Sequence, residues 1–243
     1  MHKLPIANPS SFIVEGNIGA GKSTFVSLVK NYLDVHLVHE PHHEWQAVGG
    51  KHNILQAFYE DTPRWAYTFQ SYAFVTRVRN QQEHARVYPH MIHVLERSVW
   101  SDRYCFAQNC HEMGLMSDLE WRLYQEWFTW LMNNYVALPQ GFIYLQTDPE
   151  ICYQRITKRD RVEEASVELA YLRALHQKHE RWLMEKDGIE DALKNIPVLV
   201  LNVNRDFESD MQVQRECMQR VAEFIEQASG MQVGSGHIKQ ISL

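Results

Sequence analysis

Five short apolar runs separated by longer stretches of helical character predict an α/β fold, a five-stranded parallel sheet flanked by helices. A glycine-rich turn directly after the first run adds to this, as do prolines (Pro139, Pro149, Pro197) confined to element boundaries, where they are tolerated. The first run, Phe12 to Val14, reads as a strand buried on both faces, and Gly21 to Leu33 as the helix after it. Val35 to Val38 is the second strand, and Pro63 to Val87 a long helix leading to the third, Met91 to Leu95. Phe142 to Leu145 and Val198 to Val203 complete the five. The last stretch spaces Met211, Gln214, Met218, Val221, Phe224, Ile225 and Ala228 by threes and fours, one largely apolar helix face. Strand and helix in alternation imply right-handed crossovers. No linker divides the chain, so residues 1–243 are expected to form one domain, with mobile termini at 1–10 and 230–243.

A chain of 243 residues buries about 70–75% of its unfolded surface, enough for a core without staples. With 24 Lys+Arg against 30 Asp+Glu, the net charge of −6 argues against a nucleic-acid polymer or an anionic membrane as partner. No apolar run approaches the roughly 18 residues of a membrane span. The opening MHKLPIANPS carries neither an apolar core nor an arginine, so a cytoplasmic location is expected, with mitochondrial or nuclear destinations left open. Cys105, Cys110, Cys152 and Cys217 are scattered without metal or disulfide spacing, which suits a reducing compartment. Seven Trp and an aromatic content of 12% hint at a flat ligand.

The strongest motif is Gly16-Asn17-Ile18-Gly19-Ala20-Gly21-Lys22-Ser23, followed by Thr24, which matches the phosphate loop GxxxxGK[ST] between a strand and a helix. Its glycines let backbone N–H groups curl around a phosphate, and the helix N-terminus adds partial positive charge. Lys22 supplies a point charge for the terminal phosphates and Ser23 a hydroxyl for Mg²⁺. A chance glycine-rich turn of this pattern arises about once in a hundred chains of this length. The loop alone does not name a reaction.

Glu40 closes the second strand, where the carboxyl ends of an open α/β sheet face a ligand. From position it is either a general base for a hydroxyl or an N-cap or surface acid. Glu96 and Arg97 end the third strand: Glu96 either helps hold Mg²⁺ or is a solvated loop end, and its arginine neighbour either serves the site or pairs with it. Arg155, Lys158, Arg159 and Arg161 form a basic run that is either an arginine-bearing lid over phosphates or a solvated helix face.

Taken together, the motifs resemble those of the deoxyribonucleoside kinases, in particular the deoxycytidine/deoxyguanosine kinase branch. The resemblance covers roughly Phe12 to Ile225. It rests on GNIGAGKST from Gly16, HEP around Glu40 with Trp45, FYEDTPRWAYTFQSYA from Phe58 and ERSVWSDRY from Glu96. RITKRDRVEE from Arg155, LHQKHERWL from Leu175 and NVNRDF from Asn202 complete it. It implies a phosphate-loop kinase that uses ATP or another nucleoside triphosphate with Mg²⁺ to phosphorylate the 5′-hydroxyl of a deoxynucleoside, and a homodimer.

By the same resemblance Glu40 would be the base, with Arg97 and Lys22 completing the catalytic set. Tyr59 and Glu164 would bind the sugar 3′-hydroxyl, Gln70 the base edge, and Phe106 would stack on the base. Trp45, Leu55, Phe58 and Phe69 would line the cleft. Ala73, Arg77 and Asp102 would discriminate bases, with Asp102 accepting from an exocyclic amino group and Arg77 keeping it ionised. Thymidine would then be a poor substrate beside deoxycytidine, deoxyadenosine or deoxyguanosine. Arg155, Arg159 and Arg161 would surround the donor phosphates, Asp206 and Phe207 the donor base, and Ser23 and Glu96 the metal.

The chain departs from the family pattern at His42, where relatives usually carry an apolar residue lining the sugar pocket, and at Phe58, often methionine. Gly19 replaces a common alanine, a small change in a loop that welcomes glycine. Ala165 to Glu168 lacks a Gly-Ile-Pro run, and Arg205 stands where some relatives are acidic. The histidine groups, His39, His42 and His43 and then His176 and His179, lack a zinc spacing and read as structural or solvated. Trp121, Trp127, Phe128, Trp130 and Leu131 mark a helix that is either core or a dimer face. The rival functions are a nucleoside monophosphate kinase, which needs further arginines for its acceptor phosphate, and a nucleotide-dependent regulatory switch.

Overall fold

The computed structural model describes residues 9–234. Its elements in chain order are β1 (Ser11–Glu15), α1 (Lys22–Tyr32), β2 (His36–Val38), α2 (His42–Gln46), α3 (Ile54–Glu60), α4 (Thr62–Val87) and β3 (His93–Glu96). A helical run then passes from α5 (Val99–Ser101) through a π-helical turn (Asp102–Ala107) into α6 (Gln108–Glu112). After it come α7 (Asp118–Tyr135), β4 (Gly141–Gln146), α8 (Pro149–Arg159), a 3₁₀ turn (Val162–Glu164) and α9 (Leu169–His179). A second π-helical turn (Glu180–Met184), α10 (Asp191–Lys194), β5 (Val198–Asn202) and α11 (Met211–Ser229) complete the chain.

The five strands form one sheet in the order β2-β3-β1-β4-β5, every pair parallel. Central β1 and β3 are wholly buried because helices cover both faces, which is why they read as continuous apolar runs. The edge strands β2 and β5 are only half-buried, contrary to the expectation of burial on both faces, since each lacks a neighbour on one side. Phe142 of β4 packs edge-on against Trp100 (5.9 Å) and Trp182 (5.1 Å), joining the sheet to the helical run after β3 and to the π-helical turn after α9. Burying one such side chain stabilises the fold by about 1.5–3 kcal/mol. Among the described residues no helix is long and apolar enough to cross a membrane, and the four cysteines are free and buried.

Register decides where the chemistry gathers. Val14 lies beside Glu96, and Val38 beside Leu95. The chain therefore leaves β1, β2 and β3 at one edge of the sheet, bringing Gly16, Glu40 and Arg97 to a common crevice. Helix α4 starts with Asp61 accepting from the Arg64 N–H and with Pro63 in the first turn, and its long axis carries Gln70, Ala73 and Arg77 along one face.

Two expectations are corrected at the C-terminal end. Met211 and Ala228 are exposed, and the buried face of α11 runs through Val213, Gln214, Cys217, Met218, Val221, Ala222 and Ile225. Met211 opens the helix beyond the sheet, so the apolar seam begins two residues later. Gln214, the polar member of the expected face, is buried because Tyr32 Oη donates to its Oε1 (2.5 Å) and its Nε2 donates to the Phe207 carbonyl (3.2 Å). The tail is held at its beginning: Val233 is buried and its carbonyl accepts from Asp34 N–H (3.0 Å). Residues 1–8 and 235–243, the rest of the termini expected to be mobile, lie outside the described residues.

Candidate active site

The phosphate loop turns where its glycines permit. Gly19 and Gly21 have φ of 78° and 92°, in the left-handed region that side chains disfavour. Lys22 folds back to donate to the carbonyls of Gly16 (3.0 Å) and Asn17 (2.7 Å). Burial, and then the charge of Arg97, pulls its ammonium down to about 7. The Asn17 side chain is committed to the loop itself, donating to Leu172 O (2.8 Å) and accepting from Ile18 N–H (2.9 Å). Gly19 is more constrained than its sequence context suggests. A Cβ there would lie 2.4 Å from the Cys152 carbonyl of α8, so alanine is not a small change in this molecule.

A cleft of about 220 Å³ runs from this loop between α3, α4 and the lid. Its lining includes Ile18, Gly19, Gly21, Lys22, Ser23, Thr24, Glu40, Trp45, Leu55, Phe58, Tyr59 and Phe69. Gln70, Ala73, Arg77, Glu96, Arg97, Asp102, Phe106, Arg159, Arg161 and Glu164 line it too. Most of the residues singled out from the sequence thus meet in one cavity. His42, noted from the sequence as a departure in the sugar pocket, lines it as well, and so does Tyr171, which was not singled out.

Glu40 is neither an N-cap nor a surface acid. Pro41 caps α2, and the Glu40 side chain is only 6% exposed. Its Oε1 accepts from Arg77 (2.7 Å) and lies 3.2 Å from Arg97 Nε, while Oε2 is 2.9 Å from His42 Nε2. Burial alone would raise this carboxyl, but Arg77, His42 and Arg97 overcome it and hold Glu40 well below the ordinary carboxylate range. An ionised carboxylate held beside a phosphate loop is chemically able to take a hydroxyl proton.

Arg77 is the centre of the arrangement. It grips Asp102 through two bonds (Nε to Oδ2, 2.8 Å, and a terminal nitrogen to Oδ1, 3.0 Å) and reaches Glu40 with the same terminal nitrogen. Burial pushes the Asp102 carboxyl up and Arg77 opposes it. The two parallel bonds to a guanidinium are the geometry of an ion pair, and each Asp102 oxygen keeps a further lone pair. The π-helical turn that begins at Asp102 presents Asp102 and Phe106 to the cleft together, an extra residue per turn re-aiming the helix at the site. Arg97, with φ of 64°, lies 4.6 Å over the Phe106 ring.

Glu96 pairs with neither reading's arginine. Its Oε1 accepts from Ser23 Oγ (2.5 Å) and its Oε2 lies 3.2 Å from His39 Nδ1. Burial would raise this carboxyl too, but His39, Ser23 and Lys22 keep it lowered. A hydroxyl and an ionised carboxylate at the mouth of a phosphate loop are hard oxygen ligands suited to Mg²⁺.

On the aromatic wall Trp45 donates to Thr76 Oγ1 (2.9 Å) and meets Phe69 edge-on at 5.6 Å, and Phe69 in turn packs on Phe58 at 4.8 Å. Gln70 is buried, with Cys110 Sγ at 4.0 Å its partner among the described residues. Tyr59 is kept un-ionised, its pKa pushed up by burial and then by Glu164.

The basic run divides. Arg159 grips Glu164 (Nε to Oε2, 2.8 Å), and Arg161 approaches the same carboxylate at 3.7 Å, so both face the cleft. Arg155 instead donates to the carbonyls of Ala20 (3.3 Å), Val203 (2.8 Å) and Arg205 (3.4 Å), tying α8 to the phosphate loop and the chain after β5. It lines a second, shallower pocket with Gly19, Gly21, Thr24, Asp206 and Phe207. Phe207 is buried against Gly21, and Asp206 accepts from Ser209 Oγ (2.7 Å), closing its own loop. Glu15, which the sequence reading passed over, is fully buried beside Gly16. Its carboxyl is pushed up to about 7 by burial against the opposing pull of Arg97 and Ser98.

The family model of the deoxynucleoside kinases matches residues 12–226. Deoxycytidine kinase 2 of Gallus gallus is 41% identical over 237 residues, covering 87% of this chain and 89% of that protein. The mitochondrial deoxyguanosine kinase of Xenopus laevis is 39% identical over 241 residues, covering 87% and 88%. Deoxycytidine kinase of Homo sapiens is 38% identical over 237 residues, covering 87% and 89%.

Proposed function

The chain belongs to the deoxynucleoside kinase family, and from that premise we propose that it transfers the γ-phosphoryl group of ATP, or another nucleoside triphosphate, to the 5′-hydroxyl of deoxycytidine, deoxyadenosine or deoxyguanosine. The product monophosphate makes this a nucleoside salvage step. The observation that supports the base preference is the two-bond grip of Arg77 on Asp102. It leaves the carboxylate oxygens as acceptors for an exocyclic amino group, which thymidine lacks at the corresponding position. Gln70 reads the rest of the base edge, Phe106 stacks on the ring, and small Ala73 leaves it room. Leu55, Phe58, Phe69 and Trp45 enclose it. Tyr59 and Glu164 hold the 3′-hydroxyl.

In the transfer, Glu40 takes the 5′-hydroxyl proton as the oxygen attacks the γ-phosphorus. The new O–P bond forms as the bond to the bridging oxygen breaks, and the nucleoside diphosphate leaves. Arg97, whose buried terminal nitrogen NH1 has no hydrogen-bond partner among the described residues, steadies the attacking oxygen. Lys22, Arg159 and Arg161 offset the charge spread over the phosphoryl oxygens. Ser23 and Glu96 would hold Mg²⁺, which would supply positive charge to offset that of the donor phosphates. Arg155, Asp206 and Phe207 form the donor-base side. The exposed aromatic face of α7, Trp127 and Trp130 with Leu119 and Leu123, supports a homodimer, to be read as molecular mass in solution.

The test is a panel of four deoxynucleosides with labelled ATP and Mg²⁺, read for the 5′-monophosphate. At least one amino-bearing nucleoside is expected to exceed thymidine roughly ten-fold or more in kcat/KM. Equal turnover of thymidine overturns the base preference, and no monophosphate from any nucleoside overturns the reaction.

A further inference from the structure

His42, expected from the sequence to be structural or solvated, touches the proposed base. The backbone puts it there. Pro41, at φ −79° and ψ 50°, is the centre of an inverse γ-turn in which His42 N–H donates to Glu40 O at 2.8 Å. The ring is then fixed on two sides, by Nε2 at 2.9 Å from Glu40 Oε2 and by an edge-on contact with Trp45 one helical turn later, at 5.0 Å. Its Nδ1 is buried without a hydrogen-bond partner among the described residues. The two oxygens of Glu40 are consequently unequal. Oε1 faces both Arg77 and Arg97, whereas among the described residues Oε2 faces His42 alone and is the oxygen with capacity for a hydroxyl proton.

We propose that His42 is a positioning residue for phosphoryl transfer, orienting Glu40 Oε2 through its Nε2–H. The inference rests on the reading of Glu40 as the base. Among the described residues Glu40 is the polar partner of the ring, and the edge-on contact with Trp45 keeps the imidazole from swinging away from it. The other charged groups around the pair are Asp102, which shares Arg77, Glu96, whose Oε2 lies 3.5 Å from the Glu40 backbone nitrogen, and Lys22.

The experiment measures kcat and KM for the wild type, His42→Asn, His42→Val and Glu40→Gln, with the best nucleoside of the panel and saturating ATP-Mg²⁺. Thermal melts of each variant accompany the kinetics. His42→Val should lose roughly ten-fold in kcat with little change in KM, the equivalent of one hydrogen bond to a charged group, and His42→Asn, which keeps a donor, should recover most of it. A His42→Val kcat equal to the wild type, or a His42→Asn kcat no better than that of His42→Val, overturns the proposal. Should His42→Val fail to fold, His42→Ala takes its place with the same expected outcomes. Glu40→Gln separates the two readings: if it retains kcat the base assignment itself falls, and if it is inactive while both His42 variants behave as wild type, only the role of His42 falls.

Discussion

At the scale of single residues, the proposed base preference rests on Asp102, one buried carboxylate whose geometry depends on one guanidinium. Replacing it by Asn keeps the shape, removes the charge and leaves Arg77 with a poorer partner. The expected result is a fall of about ten- to a hundred-fold in kcat/KM for the best amino-bearing nucleoside, with thymidine losing much less, so that their ratio narrows. Steady-state kinetics on the two substrates checks it, and an unchanged ratio removes Asp102 from base selection. Most of this chemistry was legible from the chain, because strand ends and motif strings fix Lys22, Glu40, Glu96, Arg97 and Asp102 independently of their neighbours. Tyr171, Glu15 and the contact of His42 with Glu40 were not. The place of His42 in the pocket was legible from its motif, but its contact with Glu40 is made by a γ-turn whose closure the letters do not display. Tyr171 is one aromatic residue on a helix of ordinary pattern, and Glu15 reads as the last residue of a strand until its burial is known.

Among elements, the contact between the phosphate loop and α8 is the one the sequence understated. The loop can approach the Cys152 carbonyl because Gly19 has no Cβ, and at φ 78° an alanine would be strained as well as crowded. Gly19→Ala is expected to cost roughly 1–3 kcal/mol, several degrees of unfolding temperature in a chain of this size, and to raise KM for ATP more than for the nucleoside. Calorimetry with donor titration checks both, and an alanine variant as stable as wild type would show that α8 gives way without loss. The strand runs were readable because a doubly covered sheet makes them apolar throughout. Which strands lie at the edges was not, since half-burial of β2 and β5 follows from sheet order and leaves no mark in the runs themselves. The missed end of the α11 face has the same origin: helical spacing is visible in the sequence, but where the helix overshoots the sheet is not.

For the molecule as a whole, several histidines are folded in their neutral form, which ties stability to pH. Burial holds His179 down to about 3, and burial with His93 and His84 holds His36 down to about 4, against 6.5 for an ordinary imidazole. His84 and His93 are lowered in the same sense. The unfolded chain binds these protons first, so their stabilisation is complete above pH 6.5 and is lost as pH falls toward 4. Glu15 works the other way: raised to about 7, it favours the fold below pH 4.5 and loses that contribution on going up to 7. Asp102, also raised by burial, acts in the same sense as Glu15. With four groups against two, the unfolding midpoint should drop between pH 6.5 and 4, and a midpoint that holds or rises across that window in calorimetry would contradict the burial assigned to them. The fold class and the single cleft were legible at this scale because alternation of strand and helix leaves few topologies, whereas the sharing of groups within the cleft became apparent only in three dimensions. Arg77 is the clearest case, since the guanidinium that grips Asp102 also grips Glu40. A nucleoside whose base disturbs Asp102 therefore disturbs Glu40, the proposed proton acceptor, through the same guanidinium nitrogen. Under the proposed mechanism, an ill-fitting nucleoside can be bound and still be converted slowly, so that selectivity is expressed in turnover more than in affinity, and a tight-binding poor substrate acts as a competitive inhibitor of the good one.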